Sequence, residues 1–133
     1  MVWATTATVN ARTVQAAPAL TAYSAAAVAR GDAAVTDYDD LITDAHAQVV
    51  EILRQRDITE EMVTSTAGVT RAETDLTLAL LFEALLQIAR DGSGDQYAQQ
   101  ASFFRASFER EMDRAQPITD VKGSGRGFRW ARG

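Results

Sequence analysis

The chain reads as an all-α protein: a small helical bundle of three to four main helices, with an extended N-terminal segment and a flexible C-terminal arm. Three observations predict this. Apolar residues recur at three- and four-residue steps in runs beginning at Leu41, Leu76 and Tyr97. Residues suited to capping stand before each run, and Gly92 and Pro117 follow the second and third. The β-branched residues that would favour strands outside these runs gather near the N-terminus, in a stretch with poor turn boundaries.

From Met1 to Gln15, Thr, Val and Ala alternate, and Val2, Val9 and Val14 favour extended backbone. Ala19 to Arg30 reads as a short alanine-rich helix after Pro18, closed by Gly31-Asp32. The next helix is capped by Thr36 or Asp37. Asp39, Asp40 and Asp44 crowd its first turns, where the helix dipole favours negative charge, and Arg54 and Arg56 stand at the opposite end. Leu41, Ala45, Val49, Ile52 and Leu53 form its buried face.

Ile58 to Val69 reads as a connector, with one helical turn at Thr59 to Met62. Thr70-Arg71-Ala72-Glu73 has the spacing of a capping box, in which Thr70 accepts from the Glu73 amide and Glu73 reaches back. The helix it would open runs to about Arg90 and is apolar on most sides, so it is expected to be the most buried. Asp91-Gly92 ends it, and Ser93-Gly94-Asp95-Gln96 is a second capping-box pattern. The last helix presents Tyr97, Ala101, Phe104, Phe108 and Met112 on one face, with Arg105, Glu109, Arg110, Asp113 and Arg114 on its solvated side. A joint this short folds the two helices antiparallel. Leu76, Leu80, Leu85, Tyr97, Phe104 and Phe108 are expected in one core. The division is a helical body over residues 1–115 and a tail over 116–133.

The 133 residues hold 13 basic and 18 acidic side chains, and the charge is unevenly placed. From Gln116 onward Lys122, Arg126, Arg129 and Arg132 face only Asp120, so the tail carries +3 and the body −8. The absence of cysteine excludes disulfides, thiolate metal sites and a cysteine nucleophile. No window approaches the roughly 20 apolar residues that span a membrane. Ala16 to Ala29 is interrupted by Pro18, Thr21, Tyr23 and Ser24 and lacks the apolar run of a secretion signal.

Catalytic constellations are missing from the pattern. His46 is the only histidine, and without a second histidine it offers no metal set beyond generic carboxylates, so no metal or cofactor is expected. A lone histidine on a helix reads as a surface or core-edge residue. Glu60-Glu61 and Glu109 with Glu111 read as helix surface. Gly123-Ser124-Gly125-Arg126-Gly127 has the glycine content of a phosphate loop without the flanking strand and helix. The expectation is that the protein is not an enzyme.

The tail itself points to a partner. Gly123, Gly125 and Gly127 give freedom to a segment that then carries Arg126, Phe128, Arg129, Trp130 and Arg132. Arginine and large aromatics dominate binding energy at interfaces, so these five residues read as a docking arm. Asp37, Asp39, Asp40 and Asp44 are the second candidate group, facing a channel or a neighbouring subunit.

The helix pair from Thr70 to Ala115 resembles the tailed-bacteriophage head–tail adaptor (connector) family. The resemblance rests on the apolar helix Leu78-Ala79-Leu80-Leu81-Phe82-Glu83-Ala84-Leu85, a Gly/Asp turn, Asp95-Gln96-Tyr97, the pattern Phe103-Phe104-Arg105 with Phe108-Glu109, and a Gly-rich basic end. The helix from Asp37 to Arg56 matches the family's first core helix. The tail departs from the pattern by keeping only Asp120 where relatives have a longer Asp/Gly stretch.

The resemblance implies a virion protein at the head–tail interface, assembled in the host cytoplasm. It implies a ring, usually dodecameric, that binds the portal protein, extends the DNA channel and receives stopper or tail-completion proteins. DNA would pass without sequence-specific binding, and an acidic lining suits that passage because it repels phosphates. Two other classes stay open. A small helical nucleic-acid-binding regulator would use the basic tail as its contact, although no helix here is rich in Lys and Arg. A helical accessory subunit of an enzyme would need its site completed by a partner.

Overall fold

The computed structural model describes residues 2–64, 66–89 and 94–114, and within them the protein is all-helical. Five α-helices follow one another: α1 (Thr6–Arg12), α2 (Ala16–Ala29), α3 (Asp39–Gln55), α4 (Ala67–Ile88) and α5 (Gly94–Arg114), with a 3₁₀ turn at Glu60–Met62 between α3 and α4. Helix α4 is the centre. It packs along α5 and meets α1, α2 and α3 on its other sides.

The N-terminal segment is not extended throughout: Thr6–Arg12 is helical. Thr5 and Thr8 form a reciprocal cap, in which the Thr5 hydroxyl accepts from the Thr8 amide at 3.2 Å and the Thr8 hydroxyl accepts from the Thr5 amide at 2.9 Å. Local β-propensity is a weak preference, and tertiary contact overrides it here because Val9 is fully buried against the body.

Helix α2 begins two residues before Pro18, which therefore lies in the first turn, where its missing N–H costs nothing. Its end is a Schellman motif. Gly31 sits at φ +93, its amide donates to Val28 at 3.0 Å, and the Asp32 amide donates to Ala27 at 2.9 Å. Helix α3 closes in the same way with Asp57 at φ 61, a left-handed position that glycine would occupy without strain. Ile58 then donates to Leu53 at 2.9 Å, and both side chains join the core.

The start of α3 differs in detail from the sequence expectation. Tyr38 is the N-terminal boundary residue, and neither it nor Thr36 makes a side-chain cap. Asp37 instead accepts from the Asp39 amide at 3.0 Å. Helix α4 starts at Ala67, three residues before the Thr70 pattern, and Thr70 donates its amide to Thr66 at 2.8 Å as an interior helical residue. The Thr70–Glu73 capping box is therefore not formed, because Glu73 is committed elsewhere. The capping pattern at Ser93 lies outside the described residues.

The core divides in two. One cluster joins Tyr38, Leu41 and Ile42 to Leu78, Leu81, Phe82, Leu85 and Phe104, with Leu80 and Tyr97 at its edge. The other joins Ala45, Val49, Leu53 and Ile58 to Val69, Ala72, Leu76, Phe108 and Met112. The expected single core is thus split, with Leu80 touching both clusters. Membership also shows that α3 runs antiparallel to α4.

Phe104 is 2 % exposed, lies parallel to Phe82 at 6.0 Å between ring centroids, and meets Phe103 edge-on at 5.0 Å. Phe104→Ala should cost about 3–5 kcal/mol, the usual loss for a buried aromatic, read as a lower denaturant midpoint.

Candidate functional site: a buried polar spine and an acidic helix start

The most buried helix of the protein is also where charge is buried. Glu73 and Asp75 are both fully inaccessible, and Thr74 and Thr77 beside them are buried. An isolated ion in such a place is unstable, so each must be compensated. Both are, and by elements distant in sequence.

Glu73 accepts three hydrogen bonds. Its Oε2 takes the amides of Trp3 at 2.7 Å and Ala4 at 2.6 Å, and its Oε1 lies 2.7 Å from His46 Nδ1. The other ring nitrogen, Nε2, lies 3.0 Å from Glu60 Oε1. Trp3 covers the imidazole at 4.8 Å between centroids. A carboxylate oxygen stands against each ring nitrogen. His46 is thus a satisfied core-edge residue bridging α4 and the 3₁₀ turn.

At the C-terminal end of α1, Arg12 donates from Nε to Asp75 at 2.7 Å, and Ser107 of α5 donates its hydroxyl to the same carboxylate at 2.5 Å. The Arg12 guanidinium also lies 5.5 Å from the Phe104 ring centroid. Between these anchors the hydroxyls of Thr8 and Thr74 are 3.1 Å apart. Asn10 accepts from the Tyr38 hydroxyl at 2.7 Å, tying α1 to the start of α3. Burial pushes the Tyr38 phenol above its ordinary range, which keeps it a donor.

No buried side-chain nitrogen or oxygen among the described residues lacks a partner. The spine therefore reads as a clamp that fastens the seven-residue α1, too short to stand alone, across α4 and α5. Among the described residues no group of three or more His, Cys, Asp or Glu side chains is placed to hold a metal ion.

Glu60 is the part-exposed end of this chain of contacts. Burial raises its pKa, but hydrogen bonding and positive charge, His46's among them, outweigh that and hold it below the ordinary 4.5. A depressed carboxylate stabilises the fold above its unfolded pKa and loses that contribution as pH falls through the folded value. The stability gap between the native protein and Glu60→Gln should therefore be full at neutral pH and should close progressively below about pH 4.5. Urea midpoints measured across that range check this.

The acidic group expected at the start of α3 is present as an exposed cluster. Asp37, Asp39, Asp40 and Asp44 are all on the surface. Asp37 and Asp40 border a cleft of about 420 Å³ that also meets Tyr23, Arg30 and Asp32. The docking-arm residues Arg126, Phe128, Arg129, Trp130 and Arg132 lie outside the described residues. On α5, Arg105 is not simply solvated: its guanidinium grips Glu83 of α4 with contacts of 2.8 to 3.1 Å.

Sequence reasoning missed the spine. Its one local signal was the placement of Glu73 and Asp75 inside an otherwise apolar stretch, between Ala72 and Leu76. Leu86, on the helix expected to be the most buried, is 39 % exposed, and Phe103, beside the inward face of α5, is 52 % exposed. Comparison with protein-family models, with curated proteins and with solved structures gives no match for the chain.

Proposed function

We propose that the protein is a structural virion component, a head–tail adaptor that assembles as a ring beneath a portal protein, extends the DNA channel and receives stopper or tail-completion proteins. The observation that carries this reading is the α4–α5 hairpin. The described residues on which the resemblance rests, within 78–85 and 95–109, lie on the central antiparallel pair of helices of an all-helical body. The exposed aspartates of α3 supply a surface of the sign that a DNA conduit requires, since fixed negative charge discourages phosphate adhesion. The basic aromatic tail supplies the attachment, with Phe128 and Trp130 as anchors and Arg126, Arg129 and Arg132 as partners for carboxylates on the portal or a neighbouring subunit.

Sizing the purified protein alone and mixed with a cognate portal protein tests the proposal. The expected result is a shift of both proteins into one larger species. Failure to co-migrate under any salt condition overturns it. Retention of duplex DNA at moderate salt would favour the nucleic-acid-binding regulator instead, with the tail as its contact.

A further inference from the structure

Helix α5 has an outer face that no other described element covers. Phe103 on it is 52 % exposed, and Arg110 and Arg114, both exposed, follow seven and eleven residues later. Those intervals bring each arginine to within roughly 20° of Phe103 around the helix. Among the described residues, Arg110 and Arg114 are the arginines that form no ion pair; every other one holds a carboxylate. Asp113, three residues beyond Arg110, turns instead to Arg56 at 3.8 Å. Like charges four residues apart destabilise a lone helix, and here no described acid offsets them. An exposed aromatic in line with two unpaired arginines has the composition of a binding surface.

A surface of the opposite sign stands elsewhere on the same molecule. The cleft of about 420 Å³ between α2 and the start of α3 has an apolar wall of Tyr23, Ala27 and Val35, and Asp32, Asp37 and Asp40 on its acidic side. Arg30 answers Asp32 at 3.5 Å, whereas Asp40 has no cation beside it, and exposed Asp44 continues the acidic surface one helical turn further on. The two surfaces match in order. Helix α5 offers an aromatic ring and then two cations four residues apart. The cleft offers an apolar wall and then two carboxylates four residues apart, a rise of roughly 6 Å in either helix. One molecule cannot bring them together. The arginines flank Met112, which shares a core cluster with Val69 and Ala72 near the start of α4, whereas Leu41 and Ile42 beside the aspartates cluster with Leu81 and Leu85 toward its end.

We infer that the α5 face of one copy seats on the α2–α3 cleft of a second copy, with Arg110 and Arg114 against Asp40 and Asp44 and Phe103 covering the wall of Tyr23 and Val35. Each copy carries both faces, so the contact is head-to-tail and repeats until it closes. It rests on the ring reading above and names the two faces that meet at each junction. Burial of the Phe103 ring supplies affinity, while the opposed charges fix the register and reject a shifted neighbour. Asp39, roughly 100° around α3 from Asp40, stays outside the contact and keeps its charge for the channel.

Exchange of the charges tests the contact in the full-length chain. One variant combines Arg110→Glu with Arg114→Glu, and the other combines Asp40→Arg with Asp44→Arg. All four positions are exposed, so both variants should keep the far-UV dichroism of the native protein. Sedimentation should show concentration-dependent self-association of the native chain and association roughly tenfold or more weaker for either variant alone. A one-to-one mixture of the variants should recover association, because every junction between unlike chains again sets opposite charges face to face. Association that both variants retain overturns the contact and leaves the ring reading to another surface. A native chain that stays monomeric at millimolar concentration overturns the contact, as does a mixture that fails to recover what the separate variants lose. Co-migration with the portal protein is a separate measurement that decides the adaptor reading independently of these results.

Discussion

Replacing Glu73 by alanine should destabilise the protein by about 3–5 kcal/mol, the range found when one partner of a buried ion pair is removed. The carboxylate is fully buried and answers three donors at once: the Trp3 and Ala4 amides and the His46 ring. Without it two backbone N–H groups lose their acceptor, and His46 keeps only Glu60. A domain of this kind is stable by roughly 5–15 kcal/mol in total, so the loss removes a large fraction. The urea midpoint should fall with little change in slope, because the surface exposed on global unfolding is nearly the same. Glu73→Gln should be milder yet still destabilising. Its single carbonyl can keep the backbone amides, but its NH₂ group then needs His46 Nδ1 as an acceptor, so the charge-assisted contact to the ring is lost. Faster hydrogen exchange at Trp3 and Ala4, well before the rest of the protein, would mark the N-terminal segment as the first part released. A Glu73→Ala protein of native stability would show that the clamp contributes nothing.

The clamp also explains which parts of the fold could be read from the sequence. Helices α3 and α5 were legible because their apolar residues repeat every three or four positions, and this periodicity is a property of adjacent residues. Closure of α2 at Gly31 was legible for the same reason: a left-handed turn needs a residue that tolerates it. The partner of a polar side chain is a different kind of fact. Thr70-Arg71-Ala72-Glu73 satisfies the local rule for a helix start, yet Glu73 is bonded to residues about seventy positions away. Burying two N-terminal amides without an acceptor would cost more than a cap contributes, so the long-range contact prevails. The alternation near Val2, Val9 and Val14 favours extended backbone by the same kind of local rule. Nothing within Thr6–Arg12 announces that Asp75 and Ser107 wait to hold Arg12. Of the candidate site, the exposed aspartates of α3 were legible because surface charge at a helix start follows from the dipole, whereas the direction in which they face a partner depends on assembly.

Deleting the chain from Gly123 onward should leave the body folded and abolish attachment to the portal. The first half follows from the packing. Among the described residues both core clusters close within the stretch up to Met112, and the polar spine runs through Trp3, Arg12, His46, Glu73, Asp75 and Ser107. Far-UV dichroism and the thermal midpoint should therefore stay close to those of the full chain. The second half follows from what the deletion removes. Fixing ten residues costs on the order of 10 kcal/mol of backbone entropy. Two buried aromatics and several charge-assisted arginine bonds can exceed that only in a preformed, partly acidic groove. A portal or neighbouring subunit that provides such a groove gains most of its hold from these side chains, because interface energy concentrates in a few aromatic and arginine anchors. Substituting Phe128 and Trp130 together by alanine should reproduce most of the defect, while the arginines alone should leave a weaker, salt-sensitive association. A chain ending at Lys122 that still co-migrates with the portal protein as the full chain does would remove the tail from the attachment and shift it to the helical body, where the exposed Phe103 is the nearest substitute.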